Sequence, residues 1–299
     1  MKLHHFEEVI AIAELGSIRA AARHLGLAQP ALTRSLAQLE RELGAPLFER
    51  RARGVVTTTL GQAFLARAKS ITTEVRRTRE EVDQLRGAGT GTVTAGLSIA
   101  AHLALLPGSL RLFRARYPDI RLHIIEGFYP TLESRLRDGS VDFYVGPDGG
   151  ASSTPELSRE TLFRNQRLIL CRKNHPLASA RSLRDLRDAD WITTSITADA
   201  TDEINDFFER HKLPPPRLAV RSQSALTLMT CIAHSDLLAM VPRQWADFEL
   251  TRDVLGTIIV EEELTAPPLV IVKRADLPLT PAATYLLDLM RRAQARLVL

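Results

Sequence analysis

Several residue types and segments are scarce in this chain, and each scarcity narrows the class of protein. Cysteine occurs only twice, at Cys171 and Cys231, which argues against a disulfide framework and fits a reducing compartment. Two cysteines are also too few to form a cysteine metal site, and we expect no cofactor. No apolar run approaches the roughly 18 residues of a transmembrane helix. The first ten residues carry Glu7 and Glu8 where a secretory signal needs apolar residues, so we expect a cytoplasmic protein with no membrane partner.

Acidic residues are missing from one stretch near the N-terminus. Between Arg50 and Thr73 the chain has five basic residues and no acidic one. The net charge is only +4, but residues 91–299 hold 25 basic and 25 acidic side chains, so the surplus lies in the first 90 residues. A basic N-terminal segment followed by a neutral remainder predicts that the N-terminal segment binds a polyanion.

Three helical patterns follow one another in the first 43 residues. Residues 3–15 place apolar side chains on one face, and Ser17 is a suitable N-cap for a second helix over Ile18–His24. Gly26 permits the tight turn that follows, and Pro30 suits the first turn of a third helix. Two short helices joined by a tight turn predict a helix-turn-helix.

The third helix has one apolar and one polar face. Its apolar stripe, expected to be buried, consists of Leu32, Leu36, Leu39 and Leu43. Its polar side carries Gln29, Thr33, Arg34, Gln38 and Arg41. Arginine pairs with guanine and glutamine with adenine in the major groove, so this face is suited to contact DNA bases. Any amphipathic helix exposes such residues, so the pattern alone also fits an ordinary solvated face.

A basic β-hairpin is predicted directly after the third helix. Leu47–Glu49 and Val55–Thr57 are typical of short strands, with the turn at Arg51–Gly54. Arg51 and Arg53 would then lie at the tip, where basic side chains contact phosphate or enter the minor groove. The alternative is a solvated arginine cluster.

These residues resemble the LysR-type transcriptional regulators. The matching segments are GSIRAAA (16–22), LGLAQPALT (25–33), LERELG (39–44) and PLFER (46–50), followed by Arg53, Gly54, Val55, Thr58 and Gly61. The resemblance implies an N-terminal winged helix-turn-helix that binds double-stranded promoter DNA. With the residue pattern it gives these candidate DNA contacts: Gln29, Pro30, Thr33, Arg34, Gln38, Arg51, Arg53 and Thr58. Ala28 stands where the family often has serine, so the third helix lacks a hydroxyl cap.

A long helix is predicted between Gly61 and Gly87, which enclose no glycine or proline. Its apolar heptad positions are Phe64, Ala68, Ile71, Val75, Thr78, Val82 and Leu85. Such a seam favours a dimeric coiled coil, and a homodimer would read a roughly palindromic site. The resemblance further implies a homotetramer and contact with RNA polymerase. The glycines at 87, 89 and 91 predict a flexible linker rather than a phosphate loop.

Strand-length apolar runs alternate with helical patterns from residue 92 onward, which predicts an α/β region with largely parallel sheets. Predicted strands are 92–97, 120–125, 141–145, 168–171, 218–221, 237–241 and 269–272. Predicted helices are 103–116, 131–137, 200–212, 225–234 and 280–296. The resemblance implies a bilobed fold like that of type 2 periplasmic binding proteins, supported by LRDGSVDF (136–143) and NHPLA (174–178).

The predicted division has three parts. Residues 1–59 form the winged helix-turn-helix domain, 60–88 the linker and dimerisation helix, and 89–299 the effector-binding domain. Within that domain, lobe I covers about 92–162 and 268–299, and lobe II about 163–267. Ligand sites of such folds lie between lobes, where loops leave the carboxyl ends of strands.

Three loops are expected to face the cleft between the lobes. The candidate effector-binding residues are Ser98, Ala100, His102, Phe128, Tyr129, Ser195, Thr197 and Thr201. Hydroxyl groups, helix N-termini and aromatic rings suit a small organic anion with an aromatic body. The resemblance places the nearest relatives among regulators of aromatic carboxylate or sulfonate catabolism. Ordinary helix caps and a core aromatic pair are the alternative interpretation.

Two other functions fit parts of the sequence. GLSIA (96–100) approximates a nucleophile elbow whose final glycine is alanine, so a hydrolase using Ser98 is one alternative. A solute-binding protein is the other alternative, although that function does not explain the surplus positive charge of the first 90 residues. The two cysteines are expected to be inert core thiols.

Overall fold

The computed structural model describes residues 1–51, 54–148, 155–194, 199–246 and 248–295. Its helices are α1 (Leu3–Leu15), α2 (Ile18–His24), α3 (Gln29–Leu43), α4 (Thr59–Leu85), α5 (Ile99–Arg116), α6 (Tyr129–Arg137), α7 (Asp199–Arg210), α8 (Ala225–Ala233) and α9 (Pro281–Ala295). Its strands are β1 (Phe48–Arg51), β2 (Gly54–Thr57), β3 (Thr92–Leu97), β4 (Arg121–Glu126), β5 (Phe143–Pro147), β6 (Leu157–Arg172), β7 (Asp190–Thr194), β8 (Arg217–Ser222), β9 (Ala239–Pro242), β10 (Leu255–Ile258) and β11 (Thr265–Arg274). Among these residues no helix has both the length and the apolar character needed to cross a membrane.

The N-terminal helices pack as the sequence predicts, with one exception. Ser17 caps α2 by accepting a hydrogen bond from the Ala20 N–H, and Gly26 has a φ of 68° in the turn before α3. Leu32, Leu36 and Leu39 are buried in the core of this domain. The expectation of burial for Leu43 is wrong, because the residue ends α3 and its side chain is 42% exposed.

Strands β1 and β2 form the predicted hairpin, here called the wing. The strands extend closer to the tip than expected, with Arg51 paired to Gly54. The wing packs against the turn between α1 and α2, where the Val55 N–H donates to the Gly16 carbonyl over 2.9 Å. A Cβ atom at Gly54 would lie 2.2 Å from that same carbonyl oxygen, so this close approach requires glycine.

Helix α4 begins at the N-cap Thr58 and divides its apolar seam between two environments. Phe64 stacks on Phe6 of α1 with ring centroids 5.6 Å apart, and Ala68 is fully buried. Farther along, Val82 and Leu85 are 47% and 72% exposed. Phe64 and Ala68 therefore pack within the same chain, whereas among the described residues of the seam Ile71 is 38% exposed and the last turns leave the most apolar surface uncovered.

A buried ion pair joins α4 to the C-terminal α/β region. Arg77 Nη2 lies 2.7 Å from Asp142 Oδ1 and donates to the Gly139 carbonyl over 2.7 Å. Both charged side chains are 7% exposed. Asp142 also accepts a hydrogen bond from the Thr94 N–H over 2.7 Å. These contacts fix the long helix α4 beside the start of strands β3 and β5.

Within the described residues the main sheet has seven strands, and these run in mixed directions. Strand β3 pairs in parallel with β4 and β5, whereas β11 is antiparallel to both β5 and β6. Strand β6 also pairs in antiparallel fashion with β9 and β10. The expectation of largely parallel sheets is wrong here because the long strands β6 and β11 pass between two cores in opposite directions.

Two groups of buried residues pack against different stretches of β6, the first near Leu162 and Phe163 and the second at Ile169 and Cys171. One contains Leu97, Leu105, Val145 and residues of α9, and the other contains Trp191, Phe208 and neighbouring residues. Ile99, at the start of α5, packs against a core formed by α8 and β9. Ala100 and Ala101 belong to the first group, so the N-terminus of α5 lies between that group and the core formed by α8 and β9.

Candidate DNA interface and effector site

The N-terminal half of α3 presents the predicted DNA contacts. Gln29, Pro30, Arg34 and Gln38 are exposed, and within the described residues Arg34 has no hydrogen bond or ion pair. The Thr33 hydroxyl donates to the Gln29 carbonyl over 2.9 Å. No side chain caps this helix at Ala28, as the sequence predicts. In its first turn Pro30 has no N–H, and the Ala31 N–H donates to the Ala28 carbonyl over 2.9 Å, so side chains and not the helix N-terminus supply the donors of this face.

Two polar contacts fix α3 relative to its neighbours. Ser35 Oγ donates to Glu8 Oε2 of α1 over 2.5 Å. On the wing side, Glu40 Oε1 accepts hydrogen bonds from the Leu47 N–H over 2.7 Å and from the Phe48 N–H over 3.3 Å. The exposed face of the helix is thus held at a defined angle to both α1 and the wing.

A surface depression of about 560 Å³ lies between the start of α1 and the polar face of α3. It is lined by Lys2, His4, His5, Ala31, Arg34, Ser35, Ala37, Gln38 and Arg41. The sequence analysis identified Arg34 and Gln38 but missed Lys2 and His4. A helical projection of α3 alone cannot reveal them, because tertiary packing brings the N-terminus of α1 alongside.

The wing residues differ in what surrounds them. Arg51 is exposed and pairs with Glu49 over 3.0 Å. Arg53, a predicted contact, lies outside the described residues. The Thr58 hydroxyl donates to the Pro46 carbonyl and accepts from the Gly61 N–H, each over 2.9 Å. Thr58 therefore links the wing to α4, and a DNA contact by this residue stays a prediction.

The candidate effector residues of α5 lie at the carboxyl edge of β3 and β5. Ser98 is 2% exposed and caps α5, because its Oγ accepts a hydrogen bond from the Ala101 N–H over 3.3 Å. Its main-chain N–H donates to the Val145 carbonyl over 2.9 Å. Ala100 is buried, and His102 Nδ1 lies 2.9 Å from the Ser98 carbonyl oxygen. The histidine thus contacts the main chain of Ser98 and not its hydroxyl group.

The second predicted loop reaches the same edge of the sheet. The Gly127 N–H donates to the Leu97 carbonyl over 3.1 Å, which places Phe128 and Tyr129 beside the end of β3. Tyr129 is 2% exposed, and the Arg159 guanidinium lies 4.7 Å from its ring centroid. Phe128 is half-buried at the start of α6.

The third predicted loop is only partly described. Ser195 and Thr197 lie outside the described residues, and Thr201 falls in the first turn of α7. The structure therefore brings together Ser98, Ala100, His102 and Tyr129 around the ends of β3 and β5. Whether the hydroxyl groups at 195, 197 and 201 join them stays a prediction.

Tyr144 is a residue of this region that sequence reasoning missed. It lies in β5, is fully buried, and its ring centroid is 6.2 Å from that of Tyr129. Burial raises the pKa of its phenol group, so the side chain is neutral. The available signal was an aromatic residue in the predicted strand 141–145, two positions before Gly146, and it equally fits an ordinary core residue.

Two family models match the chain. Residues 3–62 match the model described as a bacterial regulatory helix-turn-helix protein of the lysR family. Residues 86–295, well over half of the chain, match the model described as a LysR substrate binding domain.

Individual proteins give similar matches. The HTH-type transcriptional regulator GbpR of Azospirillum brasilense is 27% identical, covering 98% of this chain and 86% of GbpR. The SDS degradation transcriptional activation protein of a Pseudomonas species is 28% identical, covering 99% of this chain and 96% of that protein. Full-length CbnR, solved in complex with its target DNA, matches with a TM-score of 0.70 and 20% identity, covering 98% of this chain and 100% of that one.

Proposed function

The chain belongs to the LysR family of bacterial transcriptional regulators, and we propose that it binds a palindromic promoter site as a homodimer and responds to a small organic anion. It is a DNA-binding regulator with a ligand-binding domain. The relatives reported above are named as transcriptional regulators, so the chain is not an enzyme. The hydrolase and solute-binding alternatives are therefore set aside.

The exposed polar face of α3 is the observation that carries the DNA-binding proposal. Arg34 and Gln38 project from a helix whose opposite face is buried and whose angle is held by Ser35 and Glu40. In the proposal, α3 is the recognition helix and lies in the major groove. Its base contacts come from Gln29, Pro30, Thr33, Arg34 and Gln38, and phosphate contacts come from Arg51, Arg53 and Thr58.

Arg34 and Arg51 are expected to contribute differently to DNA binding. Arg34→Ala should cost about 1–3 kcal/mol at one base position and relax discrimination there. Arg51→Ala should weaken binding evenly across sequences and lower the slope of log affinity against log salt by about one for each subunit, or about two for the dimer. Fluorescence anisotropy on a cognate fragment and its single-base variants, at several salt concentrations, distinguishes the two effects.

Arg187→Ala is the matched control, because Arg187 is an exposed arginine far from α3 that pairs with the neighbouring Asp188 over 3.2 Å. It should change neither quantity. Equal losses in both assays for the Arg34 and Arg51 variants would contradict the proposed roles.

The effector proposed for the cleft is an aromatic carboxylate or sulfonate. The N-terminus of α5 at Ser98 supports an anionic group, and Phe128 and Tyr129 support an aromatic body. A thermal-shift screen of the full-length protein should show stabilisation by aromatic acids beyond that by aliphatic acids of equal charge. Equal or greater stabilisation by aliphatic acids would contradict the aromatic class.

The regulatory assembly completes the proposal. Exposed apolar residues of α4 form the dimer seam, and two dimers join into a homotetramer. An effector that closes the cleft between lobe I and lobe II changes how the dimers are spaced on DNA and how they meet RNA polymerase in the cytoplasm. The three-part division at residues 1–59, 60–88 and 89–299 belongs to this proposal.

A further inference from the structure

The hydroxyl group of Tyr144 is buried and, like that of the neighbouring Tyr129, has no partner at hydrogen-bond geometry within the part of the chain that the structure describes. The Tyr129 main-chain N–H lies close enough to oppose the rise in the pKa of the phenol, but an N–H can only donate to this oxygen, so the O–H donor of Tyr144 still lacks an acceptor. Leaving such a donor unsatisfied destabilises the folded protein. Buried polar groups of this kind are uncommon in folded proteins unless a ligand or water completes them.

The position of Gly146 shows where this hydroxyl group lies. A Cβ atom at Gly146 would be 2.0 Å from Tyr144 Oη and 2.8 Å from Ser98 Cβ. The Tyr144 hydroxyl group and the Ser98 side chain therefore lie next to the same point, the position of Gly146 at the carboxyl end of β5. Because glycine has no side chain, the phenol group can extend over residue 146 toward the start of α5.

This point lies beside the N-terminus of a helix of 18 residues, capped by Ser98. A helix N-terminus favours negative charge, and its first N–H groups are donors. Burial raises the pKa of Tyr144, so its phenol keeps its proton and can donate. A neutral donor and a helix N-terminus side by side suit an acceptor that carries negative charge.

We propose that Tyr144 is a specificity-determining residue of the effector site, where its hydroxyl group donates a hydrogen bond to an oxygen of a bound carboxylate or sulfonate. The inference rests on the proposed effector site and adds a residue that is buried beside Ser98 at the start of α5. The ring of Tyr144 packs against α6 in a separate role. Removal of the hydroxyl group alone therefore tests the inference without disturbing that packing.

The test compares Tyr144→Phe with wild type by calorimetric titration of the full-length protein. The probes are benzoate, salicylate, 4-toluenesulfonate and hexanoate, each with its neutral amide. Wild type should bind at least one acid and not its amide. Tyr144→Phe should bind that acid about 10- to 100-fold more weakly, as expected for a hydrogen bond to a charged group.

Two controls separate this role from a structural one. Tyr285→Phe removes a phenol hydroxyl from α9, where the ring packs on Tyr117 with centroids 5.7 Å apart, and should leave acid binding unchanged. The ligand-free Tyr144→Phe protein should differ little in stability from wild type, because the substitution removes an unsatisfied donor together with the weak contact between the oxygen and the Tyr129 N–H. A clear loss of stability would show that the hydroxyl group has an internal partner and would overturn the inference.

The remaining outcomes distinguish the inference from the proposed function. Wild-type affinity of Tyr144→Phe for the bound acid overturns the inference and leaves the anion site of the proposed function intact. If no acid in the panel binds wild type, the anionic effector class and the inference both fail. The DNA-binding measurements are independent of either result.

Discussion

Replacing Arg77 by methionine is expected to lower the free energy of unfolding by about 3–5 kcal/mol, the usual cost of removing one partner from a buried ion pair. The pair is almost wholly enclosed, with Arg77 and Asp142 each 7% exposed. The substitution also removes the hydrogen bond of 2.7 Å to the Gly139 carbonyl. Chemical denaturation of the full-length protein at pH 7 measures the loss.

The neighbouring Arg76 provides a matched control for this substitution. Its side chain is 45% exposed and pairs with Glu80 on the helix surface, so Arg76→Met should cost less than about 0.5 kcal/mol. Adding Asp142→Asn to Arg77→Met should recover part of the loss, because no charge is then left buried. Equal losses for the Arg76 and Arg77 variants would contradict the assigned role of the pair.

The loss from Arg77→Met should also depend on pH. Burial raises the pKa of Asp142, whereas the Arg77 charge and the Thr94 N–H oppose that rise. Without Arg77 the folded-state pKa rises further above its unfolded value, so the folded protein binds a proton more readily than the unfolded chain. Stability of the variant then increases as pH falls. The deficit relative to wild type should therefore shrink between pH 7 and pH 5.

Introducing glutamate at Val82 and Leu85 together is expected to weaken binding to the palindromic site by about 100-fold or more. These side chains are 47% and 72% exposed, and within the described chain they leave an apolar stripe on α4 uncovered. In a parallel dimer the new carboxylates would face each other across the seam. Monomers lose the gain in effective concentration that joins two half-site contacts.

Analytical ultracentrifugation and anisotropy on the same samples measure this effect. Val254→Glu is the control, since Val254 is 50% exposed and lies outside α4. It should leave both dimerisation and DNA affinity unchanged. A double-glutamate variant that stays dimeric would show that α4 does not hold the dimer together.

Local signals in the sequence predicted the N-terminal domain well. Ser17, Gly26 and the leucines of α3 each specify a cap, a turn or a buried face from their immediate neighbours, and the structure confirms these features. The exception, Leu43, follows the periodicity of the helix but lies at its end, beyond the packed region.

Long-range features could not be predicted in the same way. Strand β6 was expected only at 168–171, because its earlier residues are largely polar and partly exposed and give no apolar run. The partnership of Arg77 and Asp142 joins residues 65 positions apart, which no local pattern encodes. The proposed role of Tyr144 in effector binding follows only from the positions of Gly146 and Ser98 in the folded chain.

Selection of bound fragments from a randomised DNA pool by the full-length protein tests the central claim most directly. The account predicts enrichment of an inverted repeat whose half-sites are spaced by about one helical turn or a multiple of it. With Arg34→Ala, preference should be lost at one symmetry-related base position in each half-site. Failure of the wild-type protein to enrich any sequence, or enrichment of an asymmetric single site, would contradict it.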